Sequence, residues 1–123
     1  MRFSILITAI VLIIKLSLKT KKYLRDMISV KNHTFVMMTK DGKRGRRFIF
    51  NNGRFTSDRN LLEYDLAFVW KDGNTAFKVL TTPDPVGLHK AIANWDLELK
   101  GDESLSIWFT IFLGYATGTL KKK

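Results

Sequence analysis

The sequence lacks cysteine altogether, which excludes disulfide bonds and thiolate metal sites. It has only two histidines, His33 and His89, and no acidic residue stands at a spacing that would orient either ring as a base. Paired histidines and clustered carboxylates, the usual zinc ligands, are missing as well. We therefore predict a protein with no catalytic residue, no metal site and no cofactor.

Acidic residues are scarce, with 11 against 21 basic residues, and the imbalance is uneven along the chain. Residues 1–32 hold seven basic residues and one acid, residues 33–60 hold seven and two, and residues 61–120 hold four and eight. Three lysines end the chain. An anionic surface, either phospholipid or nucleic acid, is thus expected to meet the first half and the C-terminus.

The N-terminal segment is apolar around its whole circumference. Its uncharged run, residues 3–14, would be about 18 Å long as a helix, whereas a bilayer core is about 30 Å thick. A secretory signal, a short spanning helix, a helix embedded in one leaflet and a first helix buried on the fold all remain open. We expect membrane attachment at the cytoplasmic face, ahead of burial on the fold. The expected membrane contacts are Phe3, Ile7, Ile10, Ile14, Lys15, Lys19, Lys21, Lys22 and Arg25.

Short β-rich runs follow this segment. Residues 33–39, 46–50 and 54–57 are predicted strands, and Asn52 with Gly53 forms a hairpin signal between the last two. The third strand is short, so we expect it at an edge of the sheet. Because residues 33–39 are apolar on both faces, that strand is expected to be covered on both sides.

The second half predicts a strand at 64–70, a helix at 75–80 with Asp72 as its N-cap, and a helix starting at Asp84 and Pro85. A strictly alternating strand at 95–100 then leads into a last helix. One apolar stripe of that helix holds Leu105, Trp108, Phe109 and Phe112, and an adjacent stripe holds Ile107 and Ile111. A helix of a two-layer domain needs only one stripe buried, so the second must meet the first helix, a lipid tail or a membrane.

This order of elements resembles the sterol carrier protein 2 (SCP2)-like lipid-binding domain over roughly residues 33–115. The resemblance is carried by the sequence of residues 65–72, by Asp84-Pro85, and by residues 97–102 leading into residues 105–109. The turn at residues 41–45 and the Asn52-Gly53 hairpin extend it backwards. No single motif in this set is as specific as a metal or phosphate signature.

The resemblance implies an α+β fold with a five-stranded, mostly antiparallel sheet covered by helices. The expected organisation is an apolar and basic helix at 1–30, the lipid-binding domain at 31–118 and a basic tail at 119–123. The implied function is non-catalytic binding or carrying of a sterol, fatty acyl or isoprenoid quinone type of molecule in a cavity between sheet and helices. By analogy, the lining would include Met37, Phe48, Phe68, Phe77, Leu80, Leu105, Trp108, Phe109 and Phe112.

Two alternatives stay open at this point. Basic residues between 43 and 54 stand beside Phe48, Phe50 and Phe55, and such a surface can bind single-stranded nucleic acid by phosphate contact and stacking. The glycine and aromatic spacing of the RNP1 motif is absent, however, so core packing explains the aromatic residues more simply. The other alternative is a purely structural, membrane-associated interaction protein.

Overall fold

Five strands form one sheet in the computed structural model, which describes residues 2–81 and 86–118. Helices lie before, within and after the strands. The elements are α1 (Arg2–Thr20), α2 (Lys22–Ile28), β1 (Asn32–Thr39), β2 (Gly45–Asn51), β3 (Arg54–Asp58), β4 (Leu66–Trp70), α3 (Gly73–Thr81), α4 (Gly87–Ala93), β5 (Leu97–Gly101) and α5 (Ser106–Thr117), with a 3₁₀ turn at Glu103–Leu105 before α5.

The sheet has the strand order β3-β2-β1-β4-β5, and β1 with β4 is its one parallel pair. The predicted five-stranded, mostly antiparallel α+β fold is therefore confirmed, with β3 at an edge. Asn52 and Gly53 have φ angles of 50° and 84°, the left-handed values that a tight hairpin requires.

Two aspartates begin helical segments as predicted. The Asp72 carboxylate accepts a hydrogen bond from the Thr75 amide at 2.7 Å, and that of Asp102 accepts one from the Ser104 amide at 3.1 Å. The predicted helix start at Asp84 and Pro85 lies outside the described residues. The strand predicted from residue 95 begins at Leu97 instead, because Trp95 is in a left-handed turn with a φ of 63°.

Helix α1 packs on the fold along one face. The Ser17 hydroxyl donates to the Ala116 carbonyl of α5 at 3.2 Å, which ties the two ends of the chain together. Helix α2, which the sequence patterns did not indicate, adds two buried residues to the same core, Leu24 and Ile28. Helices α1 and α2 therefore share a core with the strands that follow. The buried residues of α1 are Phe3, Ile7, Ile10, Val11, Ile14 and Ser17.

The core lies between the sheet and α5 and is mainly aromatic. The Phe109 ring stacks on Phe35 of β1 with centroids 4.3 Å apart, and it contacts Phe48 of β2 at 5.6 Å and Phe68 of β4 at 5.3 Å. The opposite face of the sheet holds a smaller cluster around Val36, which side chains of the β3–β4 connection cover. Both faces of β1 are thus covered, as its apolar pattern predicts.

Alanine substitutions in the two stripes of α5 should differ in their effect on stability. Phe109→Ala should lower the free energy of unfolding by about 3–5 kcal/mol, because a fully buried ring is lost. Ile107 is 64% exposed, so Ile107→Ala should change stability by no more than about 0.5 kcal/mol. Urea denaturation of both variants measures this difference, and equal losses would contradict the assignment of the inner and outer stripes.

The Arg47–Asp58 pair between β2 and β3 should make stability depend on pH. The hydrogen bond from Arg47 lowers the pKa of the Asp58 carboxyl below its ordinary value. A lowered pKa gives stability that is present above the unfolded-state pKa, about 3.9, and is lost as pH falls through the folded-state value. Because Asp58 is partly exposed, we expect less than about 1 kcal/mol. At pH 7, Asp58→Asn should be less stable than the wild type by this amount. The difference in stability between the two proteins should become smaller as the pH falls toward 3. An unchanged slope of stability against pH between the two proteins would contradict this expectation.

Candidate functional site

An apolar cavity of about 230 Å³ lies beside the aromatic core, between β4–β5 and the helices α4 and α5. Strands supply its floor, and the second stripe of α5 forms one wall. Because Leu97 and Leu99 alternate with exposed Glu98 along β5, both leucines face the helices. The lining residues are Phe68, Leu88, His89, Ile92, Leu97, Leu99, Ser106, Ile107, Thr110 and Ile111.

The size of this cavity limits what it can hold. An engineered apolar cavity of about 150 Å³ binds benzene, whereas sites for drug-sized molecules measure about 300–1,000 Å³. At about 230 Å³ the cavity has room for one ring or the end of an alkyl or prenyl chain. A whole sterol would need the walls to move apart.

The mouth of the cavity is apolar and partly open to water. Ile92 is 39% exposed, Ile107 64% and Ile111 38%. Ser106 and Thr110 place hydroxyl groups along the α5 wall, and His89 stands on α4. Apolar walls with a few polar groups favour an apolar molecule that carries a small polar end.

The residues expected to line a ligand site fall into two groups. Phe68 borders the cavity. Met37, Phe48, Phe109 and Phe112 are fully buried in the filled core, so in this conformation they support the cavity instead of lining it. Leu80, Leu105 and Trp108 are half-buried against that core, and Phe77 is half-buried on α3.

Several lining residues were missed from the sequence. Leu88 and Ile92 lie on α4, a helix of seven residues, which is too short to show a clear hydrophobic periodicity. Leu97 and Leu99 were recognised as the dry face of a strand but not as a ligand surface. The second stripe of α5, with Ile107 and Ile111, was the available signal, because it had no partner in a two-layer fold.

The apolar residues of α1 that were expected to contact a membrane lie on the inner face of the helix in this structure. Phe3, Ile7, Ile10 and Ile14 are at most 5% exposed, so in this packed arrangement they face the core of the protein. The apolar residues that face outward are Ile5 at 69%, Leu12 at 55%, Ile13 at 38% and Leu16 at 63% exposure. Residues Phe3–Thr20 are long and apolar enough to cross a membrane by length and composition, but 33% of them are buried against the protein.

The basic cluster at the end of α1 is largely exposed. Lys15, Lys19 and Lys22 are open to solvent. Arg25 donates to the carbonyls of Leu18 and Lys19, at 2.9 and 3.1 Å, and so caps the C-terminus of α1. Lys21 is half-buried and reaches the Tyr115 carbonyl at 3.5 Å.

The aromatic platform of the nucleic-acid alternative is not available at the surface. Phe48 and Phe50 are at most 1% exposed and pack under α5, so they cannot stack on bases. Arg47, one of the basic residues in that surface, is paired with Asp58 and Glu63. Two of the three aromatic rings are therefore unavailable to stack on bases, and the third, Phe55, is half-buried against them.

No family model matches the sequence, and no curated protein matches it. Several solved structures, however, are similar to it in fold. A UbiJ-SCP2 ubiquinone synthesis protein superposes with a TM-score of 0.69 at 15% identity, covering 93% of each chain. The sterol carrier protein domain 2 of Helicoverpa armigera superposes with a TM-score of 0.59 at 12% identity, covering 94% of this chain and 91% of that one.

A stereoselective inverting sec-alkylsulfatase from Pseudomonas sp. is also similar, with a TM-score of 0.53 at 18% identity. The match covers 80% of this chain but only 14% of the enzyme, so most of the enzyme has no counterpart here. The two similarities that extend over the full length, together with the sheet order and the helices packed on it, establish that this chain has the SCP2-like fold.

Proposed function

We propose that this protein binds the apolar part of a lipid-class molecule without chemical conversion, and that it does so at the cytoplasmic surface of a membrane. The observation that carries the proposal is the cavity between β5, α4 and α5, whose walls are mainly aliphatic and whose mouth exposes three isoleucines. An apolar guest would remove the exposed surface of those side chains from water. Because they are 38–64% exposed, each would contribute only part of the about 1.5–3 kcal/mol that full burial of such a side chain gives.

The names of the structural neighbours support the same class of ligand. One is described as a ubiquinone synthesis protein and another as a sterol carrier domain. The volume of about 230 Å³ favours the end of a fatty acyl or isoprenoid chain over a complete sterol ring system. The polar end of such a molecule would stay near the mouth.

A non-catalytic role agrees with the side chains around the cavity. Its titratable residue is His89, and in the part of the chain that the structure describes no group of three metal-binding side chains is found. We propose that residues 31–118 form the binding domain, that the helices of residues 1–30 belong to the same core and supply its membrane-facing surface, and that residues 119–123 add positive charge.

Because α1 is packed on the fold, a peripheral attachment to the membrane is favoured over a helix that spans it. To cross a bilayer, α1 would have to leave the fold and expose the apolar surface it covers, at a cost of about 1.5–3 kcal/mol for each large side chain uncovered. Its outward stripe is already apolar, so the helix can enter one leaflet while it stays packed on the sheet.

The binding proposal is tested with a fluorescent fatty acid titrated into the protein in detergent-free buffer without vesicles. Ile111→Asp, which places a charge at the cavity wall, should weaken binding by about 10- to 100-fold, since one apolar contact is lost. Thr110→Trp should do the same by filling the cavity. Ile5→Asp is the matched control, because it places the same charge on an exposed helix face away from the cavity.

Circular dichroism should show that all three variants remain folded. If wild-type protein does not bind the fatty acid, or if Ile5→Asp weakens binding as much as Ile111→Asp, the cavity is not the binding site. Extraction and mass spectrometry of purified protein would then identify the class of molecule it carries, and the proposal requires that molecule to be apolar.

A further inference from the structure

A second, basic recess lies at the β2 side of the sheet. It measures about 180 Å³ and is formed where the first turns of α1 meet the β1–β2 turn and the residue after β3. Ile7 is buried beneath it. The groups that line it are Ser4, Ile7, Thr8, Lys43, Arg44, Gly45, Arg46 and Arg59.

The cations of this recess have no salt-bridge partner among the described residues, although the Asp41 and Asp58 carboxylates are close enough to Lys43 and Arg46 to interact with them electrostatically. Over residues 2–81 and 86–118, Lys43, Arg44, Arg46 and Arg59 form no ion pair with a carboxylate within 4 Å. Four like charges gathered around one recess repel each other, and an anion between them would relieve that repulsion. The recess therefore has the charge of an anion site.

Part of the recess is held in place. The Arg46 side chain donates from Nε to the Ser57 hydroxyl at 2.9 Å, which leaves its terminal nitrogens as donors. At Gly45, a Cβ would lie 2.5 Å from the Met37 carbonyl oxygen, so the turn that presents Lys43 and Arg44 comes closer to β1 than a side chain would allow. The hydroxyls of Ser4 and Thr8 add neutral donors on the α1 side.

The recess runs directly into the outward apolar stripe of α1. Ser4 and Thr8, which line the recess, also border the shallow depression formed with Ile5, Ala9 and Leu12. From Ile5 to Leu16 the stripe extends about 16 Å along the helix. A cationic pocket beside an apolar helix face has the chemistry of a surface that meets a phosphate headgroup and the acyl region below it.

We infer that this recess binds the phosphate headgroup of an anionic phospholipid while the outer stripe of α1 lies in the same leaflet. This rests on the membrane part of the proposed function and assigns it to particular residues. Membrane lipid fits better than nucleic acid, because the lining residues include no aromatic ring for base stacking and because the apolar stripe would have no role on RNA.

The inference is tested by sedimentation of the full chain with phosphatidylcholine vesicles, with and without phosphatidylglycerol. Each basic residue at an anionic surface changes the partition coefficient by about fivefold. Lys43→Gln with Arg44→Gln should therefore weaken binding to the anionic vesicles by about 25-fold. Lys71→Gln with Lys100→Gln, which removes two exposed charges outside the recess, should change it far less.

The apolar half of the surface has its own variant. Ile5→Ser with Leu12→Ser should weaken binding by tenfold or more at high salt, where the electrostatic part is screened. Both residues are exposed, so the fold should be retained, and circular dichroism checks this. Salt-resistant binding that is unchanged in this variant would overturn the assignment of the stripe to the leaflet.

Other outcomes separate the inference from the proposal beneath it. If wild-type protein binds no vesicle, the membrane part of the proposed function fails together with the inference. If wild type binds and the Lys43/Arg44 variant binds equally well, while Lys15→Gln with Lys19→Gln abolishes binding, only the inference is overturned. Binding of single-stranded RNA that depends on Lys43 and Arg44, without vesicle binding, would also overturn it.

Discussion

The stacking of Phe109 on Phe35 is the contact on which the rest of the structure depends. Through this ring, α5 is fixed to the three central strands at once, since Phe109 also contacts aromatic rings of β2 and β4. A helix held in this way can rotate very little, so the stripe that faces away from the sheet is also fixed. Aromatic rings pack between α5 and the central strands, and the cavity lies toward β5, where smaller aliphatic side chains line most of it.

Much of the fold could be predicted because it is encoded locally. The left-handed turn at Asn52-Gly53, the caps at Asp72 and Asp102, and the alternation along β5 each involve residues within a few positions of one another. Gly101 is fixed by a contact with a distant part of the backbone, which local sequence patterns do not predict. It has a φ of 105°, and a Cβ there would lie 2.3 Å from the carbonyl oxygen of Asp65, the residue directly before β4.

The inner face of α1 and the lining of the candidate site were less predictable, because each depends on which apolar face of a helix turns inward. Both stripes of α1 are hydrophobic, and periodicity gives no reason for Ile7 to be buried and Ile5 to be exposed. The elements that pack on α1, namely α2, α3, α5 and β2, decide this; at Gly73 a Cβ would come within 2.9 Å of Phe3. The large aromatic residues were expected at the ligand by analogy with the SCP2-like family. In the structure they pack on one another, and the smaller residues on α4, β5 and the outer face of α5 form the cavity.

The distribution of charge follows a similar division. Arg47 and Arg46 are neighbours in β2, but their side chains leave opposite faces of the strand. Arg47 meets the carboxylates of Asp58 and Glu63, whereas Arg46 joins the unpaired cations beside α1. Local pairing therefore neutralises the face of the sheet that the β3–β4 connection covers, and leaves the excess positive charge next to the apolar first helix.

The bond between Ser17 and Ala116 spans 99 residues, and it has a consequence for biosynthesis. The ribosome makes α1 well before α5, and chains grow at about 5–20 residues per second. The inner face of α1 thus waits about 5–20 s for the helix that covers it. During that interval the nascent chain displays an exposed apolar helix, which is the kind of feature that chaperones and membrane-targeting factors recognise on a chain still being made.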